Sequence, residues 1–169
     1  MTTTISTPSR HGRKNLFSTI LLTGLLAGTL DIFAAMTKFY IDTGKGPAPI
    51  FRYIARGIFS KEEVDAGGST MIVWGLVFHY LIAMSFTIFL FLVFPAIIKW
   101  IKSTILLGIV YGLFIWVIMN RVVVPLSGVP VSKPFNVTQA AIQALILICM
   151  IGIPVSLIAH WYYSRRSIA

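Results

Sequence analysis

The chain has 169 residues, of which 57% are hydrophobic and only 11% charged, and its mean hydropathy is +0.87. A soluble domain carries roughly 45–50% apolar and about 25% charged residues, so a water-soluble globule is excluded, and so is a disordered chain, which lacks large apolar residues. The formal charge of +9 would point to nucleic acid in a soluble protein. Here the cations lie just outside long apolar runs, where membrane topology requires them, and no nucleic-acid partner is expected.

Residues 1–14 form a polar, basic tail with Arg10, Arg13 and Lys14. The apolar run that follows exceeds the roughly 7–15 residues of a signal-peptide core and contains Asp31. It reads as a retained first span over 16–40. Three further runs reach the ~20 residues that crossing requires. They are 70–98, 103–124 ending at Pro125, and 137–163 bent by Pro154. Continuous apolar runs specify helices, since barrel strands alternate apolar with polar residues. Residues 48–60 are too few to cross. Ile50, Phe51, Ile54, Ile58 and Phe59 share one face and Arg52 and Arg56 another, which predicts a short interfacial or re-entrant helix. Residues 61–70 read as a polar connector. The predicted fold class is an all-α, integral membrane four-helix bundle, a single transmembrane domain over 15–164 with tails at 1–14 and 165–169.

Orientation follows from the cations. The two ends and the 99–102 turn hold Arg10, Arg13, Lys14, Lys99, Lys102, Arg165 and Arg166, with no acid. The 41–69 and 125–136 loops hold Lys45, Arg52, Arg56, Lys61 and Lys133, balanced by Asp42, Glu62, Glu63 and Asp65. Both termini are expected in the cytoplasm. Trp100, Trp161, Tyr162 and Tyr163 on that side, and Phe39 and Tyr40 on the other, are expected to anchor at the interfaces, with Lys38.

Lipid gives helices no hydrophobic reason to associate, so small residues mark the contact faces. Gly24 and Gly28, Gly75, and Gly108 and Gly112 are the predicted packing positions. The same stripes carry Asp31, His79, Asn120 and Gln143, with Arg121 beside them. Counted from the outer helix ends, these five lie in one half of the membrane, which predicts a common outward-facing polar site. A charge in hydrocarbon needs a partner. For Asp31 the candidates are Arg121, Arg52, Arg56 and His79. His79 can carry a proton near neutral pH or act as a neutral hydrogen-bond donor between helices. Asp31 paired with an arginine would instead be a structural pin. No HxxxH or HExxH spacing occurs, so no metal is expected, and no cofactor fingerprint is present. Cys149 reads as a buried thiol.

The runs GLLAGTLDIFAA, YIARGIFS, AGG with WGLVFHYLIA, YG and MNRVVVPLS resemble a group of small four-helix bacterial inner-membrane proteins, the YagU-like group, over about residues 18–160. The resemblance implies a bacterial cytoplasmic membrane and matches Asp31, Arg56, His79, Asn120 and Pro125. It brings no activity. The leading expectation is therefore a small transport or ligand-binding protein with a polar intramembrane site. A structural or accessory subunit using its glycine faces is the alternative. A lipid-directed enzyme with Asp31 and His79 as acid and base is a third, although no nucleophile accompanies them. The expected partners are the bilayer and either a second copy or another membrane protein.

Overall fold

A computed structural model describes residues 15–127 and 136–167. The basic tail over 1–14 and the Ser132-Lys133-Pro134 stretch lie outside the described residues. Among the described residues the regular structure is entirely helical. Four helices are long and apolar enough to cross a membrane. The first is α1, Leu16–Thr43. The second is α4, Gly68–Ile97. The third runs through α5, Thr104–Ile118, a π turn at Met119–Val123, and α6, Val124–Leu126. The fourth runs through α7, Val137–Leu147, a π turn at Ile148–Gly152, and α8, Ile153–Ser167. Between the first two lie α2, Ala48–Ala55, and α3, Lys61–Ala66.

Local chemistry sets the boundaries. Gly44 ends α1 with φ +67°, and its N–H donates to the Tyr40 carbonyl at 2.8 Å, a left-handed cap that favours glycine. The Ser103 hydroxyl accepts from the Leu106 amide, and Asn136 Oδ1 accepts from the Gln139 amide, so both later long helices start on side-chain caps. The 61–70 connector is not featureless. Ser60 and Glu63 close a capping box, with Ser60 N–H donating to Glu63 Oε2 at 2.8 Å and Glu63 N–H to Ser60 Oγ at 3.2 Å. The S-x-x-E spacing that announces such a start was present in the sequence.

Proline shapes the last two long helices from within. Each π turn ends two residues before a proline, Val123 before Pro125 and Gly152 before Pro154. The widened turn gives Val124 N–H and Ile153 N–H a carbonyl five residues back, where the proline ring disturbs the ordinary ladder. Pro125 therefore does not stop the third helix, which continues to Leu126.

The helices pack in two close pairs. The first is α1 against α4, with α2 laid across α4. A Cβ on Gly75 would stand 2.0 Å from the Phe51 carbonyl oxygen, so only glycine lets α2 seat there. The second pair is the third helix against the fourth, where a Cβ on Gly152 would stand 2.2 Å from the Gly108 oxygen and one on Gly112 2.5 Å from Ile148 Cα. The fourth helix then joins the pairs by packing on α1 and α4. The buried core is drawn from all four, with Ala27, Leu90, Phe91, Phe94, Leu107, Tyr111, Ile115, Val155 and Ala159. It lies toward the side where α1 begins and α8 ends. At the opposite end, neither α7 nor the 119–126 stretch holds a buried residue.

Tyr162 is buried in this core, and Tyr163 donates its hydroxyl to the Phe91 carbonyl at 2.8 Å. Both pack against the core. Trp161 stays half-buried beneath the Arg165 guanidinium, 4.4 Å from its ring centre, and Trp100 and Tyr40 are exposed. Lys38 pairs with Asp42 one turn on. Cys149, expected to be buried, is exposed.

Candidate functional site

The α1–α4 contact is built on absent side chains. A Cβ on Gly28 would lie 2.9 Å from Tyr80 Cδ1, and one on Gly24 2.7 Å from Met84 Sδ. The resulting close approach brings His79 of α4 to the backbone of α1, with Nε2 2.8 Å from the Gly28 carbonyl oxygen. A carbonyl can only accept, so Nε2 carries the hydrogen, and Nδ1 makes no hydrogen bond among the described residues. One residue on, Thr29 directs its own hydroxyl hydrogen to the Leu25 carbonyl at 2.7 Å. Tyr80 O–H therefore donates to Thr29 Oγ1, at 2.8 Å. Two adjacent α4 residues thus clamp two adjacent α1 residues.

Asp31 lies three residues after Gly28, on the same face of α1, and is half-buried. Its electrostatic neighbour is His79. The pair is deeper than the sequence count implied. Asp31 is twelve residues before the end of α1 and His79 eleven after the start of α4, or roughly 17–18 Å by helical rise. The midpoint of each helix is close by.

The other residues predicted for a common site are not brought to this pair. Asn120 is exposed, and its Nδ2 donates to the Trp116 carbonyl of its own helix at 2.9 Å. Arg121 is exposed, without an ion pair among the described residues. Gln143 is exposed and makes no side-chain hydrogen bond among the described residues. Each of Asn120 and Gln143 lies six residues from the end of its long helix, about 9 Å in, so both are shallower than the pair. Rotation separates them as well. Steps of four residues overshoot a 3.6-residue turn by ~40°, so the stripe Gly108, Gly112, Trp116, Asn120 drifts from buried to exposed. The spacing Gly24, Gly28, Asp31 mixes a four with a three and stays on one face.

Nor does Arg52 of α2, or Arg56 just after it, pair with Asp31 among the described residues. Arg56 Nη2 is 3.9 Å from Asp65 Oδ1 of α3, and the buried Nε of Arg52 has no hydrogen-bond partner. On α2, Tyr53 is exposed, and the partial desolvation of its ring raises its phenol above the usual range. No group of three or more His, Cys, Asp or Glu side chains among the described residues is arranged to hold a metal ion. Ser85, the serine nearest in sequence to His79 on α4, is exposed and donates to the Leu81 carbonyl, so it is not an acyl-transfer partner for the imidazole.

Gly152 was not singled out in the sequence, although it is the one glycine of the fourth helix and sits two residues before Pro154. Tyr80 was also missed. Nothing in its run of large apolar neighbours distinguishes a tyrosine that bonds across helices from one that faces outward. No family model, curated protein or solved structure matches the chain.

Proposed function

We propose that this chain is a multi-pass membrane protein of the bacterial cytoplasmic membrane, a four-helix bundle with both termini in the cytoplasm, and that the Asp31–His79 pair is a proton or small-ligand site for transport. Membrane residence is supported by the outer surface. Leu22, Leu26, Phe33, Val73, Leu81, Leu92, Leu106, Leu113, Leu145 and Leu157 are all exposed, an apolar girdle that water does not tolerate at this extent. The cation bias of the loops supports the orientation, and the resemblance to the YagU-like group supports the location.

One observation carries the transport reading. An imidazole with Nε2 bound across the helix contact and Nδ1 free stands beside a carboxylate near mid-helix, and no arginine neutralises that carboxylate among the described residues. An ionisable pair at such depth is costly and marks proton and ion pathways. Proteoliposomes carrying a pH gradient and an internal pH dye test the reading. Asp31→Asn and His79→Gln are each expected to abolish proton movement while the helices remain folded by circular dichroism. Equal flux in both variants and the parent would refute it.

A second reading, an accessory subunit, is favoured by the exposed Asn120, Arg121 and Gln143. It draws less from the glycines, because Gly24, Gly28, Gly75, Gly108 and Gly112 are all consumed by contacts within the chain.

A further inference from the structure

We propose that α7 is a self-association surface, through which two copies of this chain pair by the side-chain amides of Gln143 and Gln139. The inference rests on the membrane reading above, and on a part of the molecule that the Asp31–His79 pair does not use.

The helix α7 is apolar in composition yet holds no buried residue. Gln139 and Gln143 are one turn apart and both exposed. Neither side chain makes a hydrogen bond among the described residues, although the Gln139 backbone N–H is held by the Asn136 cap. Gln143 stands about 9 Å inside its helix by rise. In hydrocarbon an amide without a partner is unfavourable, and acyl chains offer neither a donor nor an acceptor.

The chemistry of the amide selects the occupant. Each glutamine carries two donors and an acceptor, so it is its own complement. Copies inserted in the same orientation hold Gln143 at the same depth. A two-fold axis along the membrane normal then sets one amide against the other, as a closed isologous contact requires. Ala140 and Ala144, half-buried beside the glutamines, allow the two backbones to approach; the small residues permit the contact and the amides drive it.

The test uses the full chain, labelled at its N-terminus with donor or acceptor fluorophores, mixed in liposomes and followed by energy transfer as lipid is added. The parent is expected to associate. Gln139→Leu/Gln143→Leu is expected to weaken association by about tenfold, the scale of one to two interhelical hydrogen bonds. Gln143→Asn, which keeps the amide, should retain most of it. Energy transfer that is absent at every dilution overturns the proposal, as does a double-leucine variant that associates like the parent. Association only with a different chain also overturns it. Inserted monomers would leave the membrane reading intact, whereas failure to insert would remove both.

Discussion

Pro95 has no amide hydrogen, so the carbonyl of Phe91, one turn back in α4, loses its helical donor. Phe91 is buried, and the Tyr163 hydroxyl of α8 supplies the bond instead. Repair of a freed carbonyl by a neighbouring helix is how membrane helices tolerate proline. Tyr163→Phe should therefore cost ~2 kcal/mol in detergent unfolding, the scale of a buried group left unpaired. Restoring the amide with Pro95→Ala in the same chain should recover most of the loss, and a double-mutant cycle without coupling would refute the assignment. The glycine contacts permit a sharper comparison. Gly75→Ala drives a methyl into the Phe51 backbone, whereas Gly46→Ala meets open space. The first should cost about 1–3 kcal/mol and expose α2 to protease; the second should leave both readouts unchanged. His79→Leu removes the hydrogen bond to Gly28, and an interhelical bond in a membrane protein is worth roughly 0.6–2 kcal/mol.

Among the elements outside the long helices, α3 has a stability that follows pH. Hydrogen bonds from the Ser60 backbone and side chain hold the Glu63 carboxyl below its ordinary value of 4.5. A depressed acid stabilises the folded form fully above its unfolded value, and that contribution disappears as pH falls through the folded one. Amide exchange over Lys61–Ala66 is thus expected to speed up, relative to the intrinsic rate, as the pH drops below 4.5. Glu63→Gln should remove that acid-dependent change, because its amide does not titrate. The long helices and α2 could be read from hydropathy, since length and apolar runs are local properties. The cap at Ser60 was equally local, but it was hidden within a stretch read by its polarity alone. The π turns were not legible, because a proline announces a disturbance without saying whether the chain will kink, stop or widen by one residue. That choice also fixes where Asn120 and Arg121 point.

At the scale of the whole molecule, the packed core lies at one end and the exposed Asn120, Arg121 and Gln143 at the other. Cys149, exposed on the fourth helix, reports on the surroundings of the surface. In bilayers it should resist a membrane-impermeant maleimide and react with an apolar one, and detergent solubilisation should increase the impermeant reaction about tenfold or more, given the exclusion of charged reagents from hydrocarbon. Rapid impermeant labelling in intact bilayers would contradict a lipid-facing position.

What the amino-acid order by itself determined is that four runs are helical, long and apolar enough to cross a membrane, because length and hydropathy are properties of a continuous stretch of chain. Only the tertiary structure decided which polar groups meet. Asp31 and His79 came together because missing side chains at Gly24 and Gly28 draw two helices close. Asn120, Arg121 and Gln143 were left outward because depth and rotation about each axis accumulate along a helix, and no short motif records their sum.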